Sequence, residues 1–282
     1  MLPLLILVFL GGYFLLAGVF FVTALALREF SSAFGEKRPA AWVFWSSLGL
    51  LYGAFLWLSI KYSCLDSTKA IIGLTRQNFF QLLPFWVFVS VALCLLSMFA
   101  MEKRDLLQGM ASIASIFYII FFAFHLVLVD NYYAMPLNAG PLQFSGFHTY
   151  VWIVMLSAFG TDVFAYFTGM AFGKHKLCPS ISPKKTVEGA IGGVCGSILL
   201  CGLFSWLFMP TEFWVCIVLG VAGGIFSQFG DLTASVMKRK IGIKDWGTLL
   251  PGHGGMLDRV DSMLFVAPLF YYMLSFKDCF NL

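Results

Sequence analysis

Runs of about twenty consecutive apolar residues recur along nearly the whole chain, and nothing else in the sequence restricts its folding as much. As a helix, a run of that length matches the hydrocarbon core of a bilayer. Inside that core backbone N–H and C=O groups must be satisfied internally, which leaves helices or closed barrels. Barrel strands would alternate apolar and polar residues over about ten positions, whereas these runs are continuous and rich in Leu, Phe and Ala. Eight spans are read, at 3–27, 40–60, 79–100, 109–129, 147–172, 189–209, 213–230 and 260–276, and a break at Gly11-Gly12 would raise the number to nine. No Lys or Arg precedes the first run, so it reads as a retained span and not as a cleaved signal peptide. The expected fold class is therefore an all-α polytopic integral membrane protein. It is read as a single transmembrane domain over 1–282, with N-terminal helices in 1–146 and a C-terminal half, 147–282, that carries the chemistry. Composition agrees: 60% of the 282 residues are hydrophobic and only 11% are charged, against roughly 25% in soluble domains.

The few charges are placed unevenly. Fourteen basic residues fall in the connections after the first, third, fifth and seventh spans, and four (Lys61, Lys69, Arg76 and Lys277) fall on the other side. By the positive-inside rule the basic connections face the cytoplasm and both termini lie outside. A net charge of +4 gives no support to nucleic-acid binding. Seven cysteines without C-x-x-C spacing suggest small buried hydrophobes, not a disulfide framework or a zinc site. The connection 130–146 reads as a loop from its Pro, Gly and Asn content, and 61–78 as a connection holding a short interfacial helix.

Three places interrupt the apolar pattern with chemistry. Asp162 sits inside a span, where a carboxylate costs on the order of 3 kcal/mol unless it faces a polar cavity or a partner helix. Lys184-Lys185-Thr186 offers two ammonium groups and a hydroxyl, a set suited to phosphate oxygens, although a topology signal alone would also place lysines there. A phosphate loop of the Walker type over Gly169–Lys174 fails, because it is one residue short between its glycines and lacks the following Ser or Thr. The densest stretch is 231–261, where nine of 31 residues are charged. On a helix Asp231, Ser235, Lys238 and Arg239 share one face. Pro251-Gly252-His253-Gly254-Gly255 can form a tight turn, and Asp258 and Asp261 follow at i, i+3. Carboxylates are hard oxygen ligands suited to magnesium, and clustered cations beside them make sense if that metal carries phosphates.

This ordered string resembles the signature of the CDP-diacylglycerol synthase family, the phosphatidate cytidylyltransferases. It is met by Ser235, Lys238, Arg239, Lys244, Asp245, Gly247, Pro251, His253, Gly254, Gly255, Asp258, Arg259 and Asp261. Ser182-Pro183-Lys184-Lys185-Thr186 with Glu188-Gly189, and Asp162 with Tyr166 and Gly169, extend the likeness across the C-terminal half. The resemblance implies an enzyme joining CTP to phosphatidic acid to give CDP-diacylglycerol and pyrophosphate, with magnesium on an Asp pair and potassium as a second cation. Carried over by motif, the pair is Asp231 and Asp258, supported by Asp261. Lys238, Arg239, Lys244, His253 and Arg259 join them as catalytic candidates. Ser182, Lys184, Lys185, Thr186, Ser235, Asp162, Gly254 and Gly255 are substrate-binding candidates.

The implied setting is a bilayer, with a polar cavity open to the cytoplasmic leaflet so that CTP reaches a lipid whose tails stay in the membrane. A bacterial inner membrane fits the lack of a long polar N-terminal extension, and a homodimer is compatible with this reading. Related CTP-dependent polyprenol or phytol kinases and CDP-archaeol-type synthases are the alternatives nearest in chemistry. An ion-coupled transporter using Asp162 as a relay is disfavoured, because the polar residues are confined to one half of the chain.

Overall fold

The computed structural model describes residues 6, 8–35, 38–63, 68–99, 106–132, 137–139, 142–144, 149–249 and 254–280. Helix dominates them. Among the described residues, six helices are long and apolar enough to cross a membrane: Gly12–Ala33, Ala41–Lys61, Gln108–Asp130, Thr149–Phe172, Val187–Phe208 and Pro210–Ile241. The chain divides into two compact units, one of Thr23–Phe121 and one of Met1–Val22 with Phe122–Leu282.

The unit Thr23–Phe121 is built from the later part of α1 (Gly12–Ala33), α2 (Ala41–Ser63), α3 (Thr68–Phe99), α4 (Leu106–Ala114) and a π-helical segment, Ser115–Phe121. Between α2 and α3 the Ser47 and Ser90 hydroxyls meet at 2.8 Å, and the Trp86 indole N–H donates to Ser47 O at 2.9 Å. Polar contacts of this kind hold helices together where the apolar side chains would be equally satisfied by lipid. The expected short interfacial helix within 61–78 is instead the start of α3, a 32-residue helix that continues through Pro84. Asp66, placed in that connection, lies outside the described residues.

In the other unit the first apolar run breaks at Gly11-Gly12, both with positive φ, 57° and 52°. Gly12 N–H, at the start of α1, donates to the buried carboxylate of Asp130 at 2.9 Å. Helix α5 (Phe122–Tyr132) is followed by strands β1 (Leu137–Ala139) and β2 (Leu142–Phe144), which pair antiparallel where a loop was expected. The rest is α6 (Thr149–Phe172), the hairpin β3 (Lys176–Cys178) and β4 (Ser182–Thr186), α7 (Val187–Phe208), α8 (Phe213–Ile241) and α9 (Leu257–Phe280).

Small residues let α6, α7 and α8 approach closely. A Cβ on Gly196 would lie 2.2 Å from the Phe164 ring, and one on Gly224 would lie 3.0 Å from the backbone of Val194. Hydroxyls then bridge the three helices: Ser157 and Ser197 meet at 2.9 Å, and Ser197 also donates to Gly220 O at 2.8 Å. Helices α7 and α8 are joined by the tight link Met209–Glu212, and Glu212 forms an ion pair with Lys277 near the end of α9. The hairpin and residues 242–249 and 254–256 lie at the opposite end, which is where the charged residues of this unit collect.

Candidate functional site

The hairpin is set by its anchors more than by its own sequence. Lys176 pairs with Thr186 and Cys178 with Ser182. Val187 N–H donates to His175 O at 2.9 Å, and the Thr186 hydroxyl caps α7 by accepting Gly189 N–H at 3.1 Å. Glu188, in the first turn of α7, accepts the backbone N–H groups of Lys174 and His175 at 3.1 and 3.2 Å and contacts His175 Nδ1 at 2.6 Å. Together these bonds tie both strands to the start of α7 and direct Lys184 and Lys185 toward α8.

There they border a cavity of about 350 Å³ between α6, the hairpin, α7 and α8. Its polar lining is Asp162 from α6, Lys184, Lys185 and Thr186 from β4, and Gln228 and Asp231 from α8, with Tyr166, Met170 and Leu177 supplying apolar surface. Lys185 forms an ion pair with Asp231, both partly exposed. Ser235, one turn further along α8, donates a long hydrogen bond of 3.4 Å to Asp231. The Ser262 hydroxyl reaches Asp162 at 3.4 Å, and its N–H donates to its neighbour Asp261 at 2.8 Å. Asp162, Asp231 and Asp261 thus stand within electrostatic reach of one another, with Lys185 and Lys238 as nearby cations.

Five of the residues selected from sequence, Asp162, Lys184, Lys185, Thr186 and Asp231, share one cavity wall. The others are placed elsewhere. Helix α8 runs eleven residues past the apolar span and presents the face expected for Asp231, Ser235 and Lys238. Lys238 is buried and donates to Asp258 at 2.6 Å. Asp258 also accepts Trp246 N–H at 2.9 Å and Gly255 N–H at 3.1 Å, so it ties the segment after α8 to the start of α9 and does not line the cavity. The Arg239 guanidinium donates to Ile243 O, closing the end of α8. Lys244 and Arg259 are exposed, Ser182 is half-buried, and Gly254 holds a turn at φ 80°. Pro251 and His253 lie outside the described residues. Sequence reasoning missed Gln228, a single amide in an apolar run, and gave Glu188 no task of its own.

Among the described residues no three His, Cys, Asp or Glu side chains converge as a preformed metal site. Magnesium does not require one, since it is usually held by one or two carboxylates together with substrate phosphates and water. Asp231 suits that role, because its present partners are an exchangeable ammonium and a weak hydroxyl donor. Both Asp258 oxygens are engaged, though a carboxylate oxygen has a second acceptor position.

Over 128 residues the chain is 42% identical to the phosphatidate cytidylyltransferase of Bacillus subtilis strain 168, covering 45% of this chain and 48% of that one. Over 115 residues it is 50% identical to the phosphatidate cytidylyltransferase of Synechocystis, covering 40% and 39%. The protein of the same name from Staphylococcus saprophyticus is 43% identical over 130 residues, 46% of this chain and 50% of that one. The chain spans half or less of the length of these curated relatives in the matches. The sequence profile of the cytidylyltransferase family, however, matches residues 1–277, and on that match the chain belongs to the cytidylyltransferase family.

Proposed function

We propose that the chain is a phosphatidate cytidylyltransferase, forming CDP-diacylglycerol and pyrophosphate from CTP and phosphatidic acid at the cytoplasmic face of a bacterial inner membrane. The observation that carries this reading is the cavity in which two lysines face carboxylates inside a membrane-spanning unit. An oxygen of the lipid phosphate attacks the α-phosphorus of CTP, the bond from that phosphorus to the bridging oxygen breaks, and pyrophosphate leaves. Two polyanions must meet, so positioning and charge stabilisation carry the catalysis. Lys184 and Lys185 bind phosphate oxygens, and Lys185 exchanges its bond to Asp231 for one to substrate. Asp231, with Asp261 within electrostatic reach, is the side chain suited to magnesium, while Asp258 fastens the segment after α8 to α9. Bound there, the metal would supply neutralisation of the phosphates and polarisation of the phosphorus under attack. No strong general base is needed, because a phosphate monoester is already ionised near neutral pH.

The test is incubation of the purified chain with phosphatidic acid, magnesium and CTP labelled at either the α- or the γ-phosphate. Label from the α-position alone should enter the lipid. Transfer of the γ-label would instead identify a CTP-dependent lipid kinase, and transfer of neither, beside an active control, would remove the proposal.

A further inference from the structure

Gln228 lines the cavity from α8, three residues before Asp231. Its Nε2 donates to Ala190 O on α7 at 3.0 Å and to Gly224 O on its own helix at 3.1 Å. Both amide hydrogens are therefore committed to backbone carbonyls, and the network fixes which way the amide is turned. Oε1 takes no hydrogen bond from the described residues, and it is not among the buried polar atoms sealed from the surface. It is an oriented acceptor offered to whatever fills the cavity.

The surroundings suit a flat ring. Ala165, Gly169, Gly189 and Ala190 make a wall of small residues, with the Tyr166 side chain beside them. The cations of the lining, Lys184 and Lys185, sit on the hairpin, whereas Gln228 lies farther from the hairpin end of α8 than Asp231 does. A nucleotide with its phosphates at the lysines and Asp231 would direct its base inward to Gln228, leaving its terminal phosphates toward the mouth through which pyrophosphate departs.

We propose that Gln228 Oε1 selects the base by accepting a hydrogen from the exocyclic amine of cytosine, an assignment that rests on the function proposed above. Uracil carries a carbonyl at the same ring position. Two acceptors would then face each other, and a site built around a substrate N–H discriminates strongly against an analogue that lacks it.

The experiment measures binding of three nucleotides to the full chain in lipid nanodiscs: CTP, UTP and the pyrimidin-2-one ribonucleoside triphosphate, which is CTP without its amine. Wild type should bind CTP at least about 10-fold more tightly than the other two. Gln228→Met, which keeps the length and removes the acceptor, should weaken CTP alone and bring the three together. A wild-type protein that binds CTP and the amine-free analogue equally overturns the assignment without recourse to any variant. Retained preference in Gln228→Met overturns it too, as does equal weakening of all three nucleotides, the result expected if the amide serves only to join α7 to α8. Failure of wild type to bind any of them would instead defeat the cytidylyltransferase reading, and this assignment with it.

Discussion

Two aspartates that the sequence presents as a pair do different work in the fold. Asp258 is held by an almost fully buried ion pair with Lys238, their side chains 6% and 11% exposed, and by two backbone N–H groups. Asp231, 30% exposed, faces the cavity with Lys185 as its cation. Breaking one side of a buried pair strands a charge and costs on the order of 3 kcal/mol. Asp258→Asn is therefore expected to lower the melting temperature in detergent as well as turnover, and the double variant Asp258→Asn with Lys238→Met should regain part of the lost stability. Asp231→Asn should melt within a degree or two of wild type, while CDP-lipid formation falls by about 100-fold or more, in keeping with loss of one charged contact in a reaction run by electrostatics. A stable, fully active Asp231→Asn protein would contradict its placement at the reacting phosphates. The i, i+3 spacing of Asp258 and Asp261 was readable along the chain. The clamp was not, because it depends on the segment after α8 turning back so that Trp246 and Gly255 donate to a residue that follows both of them.

At the level of elements, legibility followed the physics of each segment. Helices α6, α7 and α8 were plain from their apolar runs, and the i, i+4, i+7, i+8 face from Asp231 to Arg239 correctly carried α8 beyond its span. Strand β4 was invisible, since Ser-Pro-Lys-Lys-Thr has no two-residue apolar alternation and is extended only because Thr186, Val187 and Glu188 fasten it to α7. Which faces of the helices meet was equally hidden, because a membrane helix can be apolar all round and its interfaces are marked by small residues such as Gly196 and not by an apolar stripe. Glu188 is the clearest test of this element. Glu188→Gln removes the charge that holds His175 and the two N–H groups, loosening the strand that presents Lys184 and Lys185. The expected result is a KM for CTP raised by about 3-fold or more with kcat little changed, the signature of lost ground-state binding. A parallel fall in kcat with KM constant would assign Glu188 to the transition state instead. Lys184→Ala should act in the same direction as Glu188→Gln, since it removes one of the ammonium groups that the latch positions.

For the molecule as a whole, the disposition of charge and the geometry of the second unit meet in one expectation. Helices α6 and α8 end, and α7 and α9 begin, on the side that holds the hairpin, Lys238 to Lys240 and Asp258, while the opposite side carries the short link at Met209–Glu212 and the ion pair to Lys277. Of the ten Lys and Arg residues in this unit, all but Lys277 fall on the first side, a bias that orients helical membrane proteins with that side in the cytoplasm. Under the proposed function, that orientation would put the cavity mouth where a soluble triphosphate is available and would leave the acyl chains of the lipid substrate in the bilayer. Single cysteines at Lys176 and Lys240, in a background lacking the native seven, should react with a membrane-impermeant maleimide only when the cytoplasmic face is open, as in inverted vesicles. A cysteine at Thr211 should react only in right-side-out preparations. The reverse pattern would place the lysines of the hairpin away from the nucleotide pool, and a CTP-dependent reaction in this cavity would then be untenable whatever the fit of its residues. A mixed pattern, with Lys176 and Lys240 on different sides, would contradict the alternation of α6 to α9 itself.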